Sequence, residues 1–489
     1  MKFQKVKTND SSARWPIQAA LFISLVLFLF IIQCKITKSD NSPGNGGSDS
    51  ENNNNNGYQY PANFSFIRVP NPLSGDNPIY PLQAMSTPGI GKSFKDHHFS
   101  TKLTRVTQIN GINGRHEYSR FDPFNSDKSM IVLLDDSGDY NVYKTNSMPY
   151  NSQNNFVRQT NNIEDPRWDN DNPDLLWGLS DFKIVRDNIT TGSRETIKDF
   201  AADSTIKPII DAEPDIYRVT MRQEGEASHD RRFWAFVLQG SKDDYRPRYI
   251  FCWDRQEDKI TGIYKIPKNG SDIDWVGMSV KGNWVLIGGS SDNSGNLKGF
   301  TMANRQLTQF HRIDHSTSHS DVGLDINGNE VIVMQNSRTD YIDLIPLDLK
   351  TKPILEPGGS YQGTNRIPLV RLYYADDSPH GFSAGVHISC NTPGYCVVST
   401  HNAASDKEKN WLDRAHIIIK LDAKNPRAFY LAKVYNTCRE YWEETHGTIT
   451  KDGSRIVWAS NWNQDVGSEK MFLMQLDMPP NWKSLLDNP

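Results

Sequence analysis

The sequence predicts an all-β chain built as a seven-bladed β-propeller, and two observations predict it. A theme of polar approach, tight turn and apolar burst recurs seven times over residues 102–479, about 54 residues apart, near the roughly 40 to 50 of a four-stranded blade with some long loops. No long amphipathic helical stretch interrupts those units. Composition agrees: 12 Trp, 19 Tyr and 21 Phe supply packing material, so the chain folds rather than staying disordered.

The elements follow in chain order. Lys2, Lys5, Lys7 and Arg14 precede Ile17 to Ile32, an uncharged run of 16 residues. As a helix it spans about 24 Å, short of the roughly 30 Å hydrocarbon core, and it reads as a signal peptide over residues 1–33. Phe30-Ile31-Ile32-Gln33-Cys34 resembles a bacterial lipoprotein box, with Gln33 where a small residue is usual. That resemblance implies cleavage before Cys34, a lipid on it and a cell-envelope address at the outer membrane or cell surface. A cleaved signal without lipid, or a short membrane anchor, is the alternative. Residues 34–57, with Gly44-Asn45-Gly46-Gly47-Ser48 and Asn52 to Asn56, carry no apolar period and form a flexible tether. Residues 58–101 are Pro-rich and form an irregular arm on the propeller, with a closing strand a natural contribution.

The clearest unit is His446-Gly447-Thr448-Ile449-Thr450-Lys451-Asp452-Gly453, running into Ile456-Val457-Trp458-Ala459. Asp452-Gly453 predicts a type I′ hairpin turn and the apolar run a buried strand. The same template places turns at Asp127-Lys128, Asn172-Pro173, Asp230-Arg231, Lys281-Gly282, Asn327-Gly328 and Pro393-Gly394. More polar β stretches follow several of these, among them Tyr140 to Tyr143, Ile342 to Ile345 and Met471 to Asp477; residues 480–489 are left as a C-terminal tail.

Charge narrows the partners. With 54 Lys+Arg against 58 Asp+Glu the formal charge is −4, which gives no basic stripe for nucleic acid, and a monomer is expected. Five cysteines leave four after Cys34: Cys252, Cys390, Cys396 and Cys438. Cys390 and Cys396 flank a turn-like segment, which admits a local disulfide or two buried thiols, and no CxxC pair points to a four-cysteine zinc site.

Other signatures fail. Gly89-Ile90-Gly91-Lys92-Ser93 lacks the first glycine of a phosphate loop. Asp169-Asn170-Asp171-Asn172 starts like a calcium loop but has Ser180 where the bidentate Glu is needed, so it reads as the second unit's turn. No G-x-S-x-G or H-E-x-x-H occurs.

The histidines carry more information. Aligned on the turns, His387 and His446 fall at nearly one register, just ahead of the first strong strand of the last two units. His319 and Asp321 lie at or near it in the fifth unit, while His116 and His229 lie close to it in the first and third. Innermost strands line a propeller's channel, so residues at this register converge there. Imidazoles beside a carboxylate suit a divalent metal or acid–base work.

His446 to Trp462, "HGTITKDGSRIVWASNW", resembles the repeat H-x-x-x-S-x-D-G-x-x-I-x-F-x-S of bacterial propellers related to the TolB domain and the oligogalacturonate lyases. The resemblance implies a channel metal held by histidines and an amide, with a basic side chain removing the proton beside a uronate carboxylate. By register it carries to His387 and His446, with Gln335 and His319 as further ligand candidates; the family's base has no aligned counterpart. One reading is therefore an acidic-polysaccharide lyase or binding propeller. It has His116 or His229 as base, Arg120 or Arg167 neutralising the carboxylate, Tyr118 and Trp168 as stacking surface, and Asp321 or Glu444 supporting a divalent metal on His319, His387 and His446. The other is a non-catalytic surface scaffold for a protein partner.

Overall fold

Each of the seven turn-and-burst units is the first hairpin of one blade. The structure is a computed structural model describing residues 58–70, 79–109, 115–135, 137–160, 162–243, 245–336, 338–354, 365–372, 385–401, 412–464 and 471–487. Blades two to six are four-stranded antiparallel sheets paired in chain order, beginning at Glu164, Ile216, Ile273, Ser320 and Gly385. The result is an all-β, seven-bladed propeller. Among the described residues no helix is long and apolar enough to cross a membrane. Cys34 and the expected signal and tether lie outside the described residues.

The apolar bursts are continuous because each such strand is covered on both faces. Along Phe233–Gly240 all eight residues are buried. Phe233, Ala235 and Val237 pack with Val276, Val285 and Ile287 of the fourth blade. Trp234, Phe236 and Leu238 pack with Trp177, Leu179 and Ile184 of the second. A period of two therefore separates two cores rather than core from solvent.

The turns repeat in chemistry as well as position. Thr450 N–H donates to Arg455 O at 2.9 Å and Gly453 N–H to Thr450 O at 2.9 Å, while Arg455 N–H donates back to Thr450 Oγ1 at 3.1 Å. Ser228 makes the same set with Phe233 and Arg231, and Ser279 with Trp284 and Gly282. A hydroxyl opening the turn thus caps the strand that follows. The type I′ expectation is corrected: Gly453 alone is left-handed at φ +74°, with Asp452 outside that region, and a side chain at Gly453 would also strike Trp482 of the helix Trp482–Asp487. Asp169 Oδ1 accepts from Asp171 and Asn172, so the calcium-like segment is a turn.

The seventh blade closes the ring. Its strands Thr448–Ile449, Arg455–Ser460 and Phe472–Asp477 are completed by Lys102–Arg105 and then Ser93–Lys95 from the arm. The arm also pairs with the outer strand of the sixth blade, Val69 N–H to Ala428 O at 2.8 Å and Tyr430 N–H to Ile67 O at 2.9 Å.

The first blade is irregular in a way that shapes the channel. Among the described residues its regular strands number three, and in place of a fourth the stretch from Arg115 to Phe124 pairs with it through the isolated bridges Arg115↔Leu134 and Phe124↔Ile131. Tyr118 and Arg120 lie between those two bridges, released from the ladder. Cys252, Cys390, Cys396 and Cys438 are buried free thiols, so the local disulfide does not form.

Candidate functional site

The site stands on the inner hairpins of the sixth and seventh blades. His387 is central in the inner strand Gly385–Ser389 and pairs with Ser399. Two residues further along the neighbouring strand, on the same face, comes His401, opposite Gly385. A side chain at Gly385 would collide with the His401 ring, so glycine is required there. His446 precedes the short inner strand of the seventh blade, and Gly447 beside it gives room to His416 while donating to Ser399 Oγ at 3.1 Å. Glu444 leaves a 3-10 turn, Tyr441–Glu443.

These side chains meet. His387 Nε2 lies 2.7 Å from Glu444 Oε2, and His401 Nε2 lies 3.4 Å from Glu444 Oε1. One ligand atom from each of His387, His401 and Glu444 falls within 4.8 Å of the others. Ring centroids of His387 stand 4.1 Å from His446 and 4.6 Å from His319. The structure thus brings His319, His387 and His446 together, and Gln335 lies beside them, its backbone N–H donating to His319 O at 2.9 Å.

Burial sets the charge states. It lowers the His387 and His446 imidazoles below their ordinary range and takes His319 down to about 3, the neighbouring His387 adding to that last effect. Burial alone pushes the Glu444 carboxyl up, but hydrogen bonds from His387 and His401 outweigh it and hold it well below the usual range. The His387–Glu444 contact is therefore a neutral imidazole donating to an ionised carboxylate. His387 Nδ1, His401 Nδ1 and His446 Nε2 are buried and have no hydrogen-bond partner among the described residues. Imidazole nitrogens and one carboxylate, with buried donor atoms left over, fit a divalent transition ion, which takes the place of the hydrogen bonds between its ligands.

Other expected site residues are placed differently. His116 is buried, and its Nε2 donates to His446 O at 2.6 Å, so it fixes the His446 backbone; burial takes it down to about 4. His229 is exposed in the third blade's turn, one residue after Ser228, at the position of Lys451 in the seventh blade. The inner strand separates that position from the register of His446, so His229 does not join the cluster. Tyr118 does, its ring 5.5 Å from His387 and 5.3 Å from His446. Trp168 does not: it is 2% exposed and its indole N–H donates to Pro123 O at 2.8 Å, which makes it core.

Both arginines turn onto the chain's own acids. Arg120 donates to Glu224 O and Ser320 Oγ, pairs with the Glu224 carboxylate at 3.1 Å and lies over Trp275, linking blades three, four and five. Arg167 pairs with Glu117 at 2.8 Å and lies over Phe121. Asp321, pushed up to about 7 by burial against the opposing pull of Arg120, accepts from Cys390 and Val322 N–H and ties blade five to blade six.

Three residues at the site escaped the sequence reading: His401, Tyr441 and Trp442. The alternation Val397, Ser399, His401 along one strand carries a signal for the first, because it sets His401 on the same face as the partner of His387.

No family model matches this chain, and no curated protein matches it either. Among solved structures it is similar to an oligogalacturonate lyase from Vibrio parahaemolyticus, with 10% identity and a TM-score of 0.51, covering 80% of this chain and 97% of that one. It is also similar to an oligogalacturonate lyase in complex with manganese, with 11% identity and a TM-score of 0.52, at the same coverage. What this chain shares with those lyases is the seven-bladed propeller fold.

Proposed function

We propose that the protein binds an acidic carbohydrate at a divalent metal centre in its channel, and that it cleaves the bound chain by β-elimination. The observation that carries the reading is the convergence of His387, His401 and Glu444, one ligand atom from each lying within 4.8 Å of the others. His387, His401 and Glu444 would hold the metal, with His446 and His319 beside them and Gln335 supporting. A bound divalent ion supplies positive charge against a uronate carboxylate, which makes the adjacent carbon acid stronger. The manganese-bound lyase of the same fold supports this choice of chemistry.

The chain's own residues do the rest. Tyr118 and Tyr441 wall the histidines with aromatic rings, 5.3 Å and 5.1 Å from His446, which restricts water. His116 holds the His446 backbone in register. In the elimination, the proton beside the carboxylate passes to a neutral side-chain nitrogen, a carbon–carbon double bond forms as the bond to the glycosidic oxygen breaks, and the imidazolium returns the proton to the departing oxygen, which leaves as a hydroxyl. His116 Nδ1 and His446 Nε2 are both buried and unpartnered, and they are the nitrogens available for that proton.

A scaffold that binds a partner without catalysis is the second reading. It is favoured by the inward pairing of Arg120 and Arg167, which commits both guanidiniums to Glu224 and Glu117. Incubation with pectin, ulvan and glycosaminoglycan fragments, with manganese present, separates the two: the lyase yields the ultraviolet absorbance of unsaturated uronate and the scaffold does not. We further propose export and lipidation at Cys34, on the lipobox-like segment.

A further inference from the structure

Trp442 stands out beside the metal centre. It is 38% exposed, and among the described residues no other tryptophan is exposed to that degree. An indole of this size normally buries its faces and gives its N–H an acceptor; here the N–H finds no acceptor among the described residues.

Its surroundings hold it still. The Arg115 guanidinium lies 4.0 Å over the ring, His446 meets it edge-on at 5.8 Å and Tyr441 at 5.1 Å. The turn that carries it is anchored by Glu443, whose backbone oxygen accepts from Asn436 Nδ2 at 2.9 Å and whose carboxylate accepts from Arg439 N–H at 2.8 Å. One face of the indole is thus backed by a cation, while 38% of the residue stays exposed.

We propose that Trp442 is a stacking platform for one sugar ring of an acidic oligosaccharide, next to the ring held at the metal centre. The apolar face of a pyranose covers the free indole face, and the indole N–H donates to a ring hydroxyl. Arg115 clamps the platform from behind and sets a positive charge beside it, which favours a carboxylated chain over a neutral one. Because the ring is fixed before the ligand arrives, little side-chain freedom is lost on binding.

This inference rests on the carbohydrate reading above, and the test separates the two. Galacturonate trimers to hexamers, and neutral oligosaccharides of equal length, are titrated calorimetrically into the manganese-loaded full chain, Trp442→Ala and Trp442→Phe. Manganese binding is measured in parallel. The expected result is binding of the galacturonates by the wild type, about tenfold weaker in Trp442→Ala and partly kept in Trp442→Phe, with manganese affinity unchanged in both. Quenching of tryptophan emission on ligand addition, lost in Trp442→Phe, gives the second readout. Equal galacturonate affinity in the wild type and Trp442→Ala overturns the platform and leaves the carbohydrate reading standing. A wild type that takes up manganese yet binds no galacturonate overturns both.

Discussion

His387 and Glu444 belong to adjacent blades, yet their Nε2 and Oε2 atoms lie 2.7 Å apart, a neutral imidazole donating to an ionised carboxylate in the channel. Two blades that share no strand are joined there by groups that also suit a metal.

The first prediction concerns that pair. Glu444→Gln keeps the shape and removes the charge, so manganese affinity falls by about 10- to 100-fold. The double change His387→Ala with His446→Ala loses the ion entirely. In both, circular dichroism keeps the all-β spectrum. Metal content by elemental analysis after gel filtration checks it, and undiminished manganese in the double variant would remove the metal centre.

His416 gives a pH test independent of metal. Both its nitrogens are buried without partners, its ring lies 4.5 Å from Trp458, and burial takes it down to about 3. Its folded value lies below the unfolded value of about 6.5. Its contribution is therefore fully present above pH 6.5 and is lost as pH falls toward 3, because only the unfolded chain takes up the proton. His416→Leu removes one such proton, so its stability falls less steeply between pH 6.5 and 4, by up to about 1.4 kcal/mol per pH unit. At pH 7 the change is near neutral, since no hydrogen bond is lost. Urea denaturation of both proteins across that range decides it; parallel curves would show that His416 is charged when folded.

Arg120 links three blades through Glu224, Trp275 and Ser320. Arg120→Met leaves the half-buried Glu224 carboxylate without its cation and should cost about 1 to 3 kcal/mol. Arg120→Lys should recover little of it, because an ammonium cannot copy the planar fork. A loss under about 1 kcal/mol for Arg120→Met would show that the network is not holding the blades.

For the address, palmitate labelling in cells should mark the wild type and not Cys34→Ala. Equal labelling of both ends the lipid-anchor proposal.

The propeller was legible because its signal repeats. Seven strands buried on both faces read as seven apolar runs, and the turns ahead of them set a register that led directly to His387 and His446. The same register misled at His229, which sits inside the turn rather than before the inner strand. Trp168 and Arg167 are neighbours in sequence, yet one faces the packing between blades and the other the channel. Which of two alternating faces meets the channel depends on the blade's placement in the ring, and the sequence carries no mark of it. His401 was hidden for a related reason: it comes after the turn, at the far end of the second strand, where the histidine register does not reach.

The closing strand has a consequence for the order of events in the protein's synthesis. Lys102–Arg105 leaves the ribosome well ahead of its hydrogen-bonding partner Phe472–Asp477. At roughly 5 to 20 residues per second, the wait is on the order of tens of seconds. Throughout it the early segment is an unmatched edge, and the nascent ring stays open however many blades have formed. The ring therefore locks in one late step, when Phe472–Asp477 is made, whatever the order in which the blades between form.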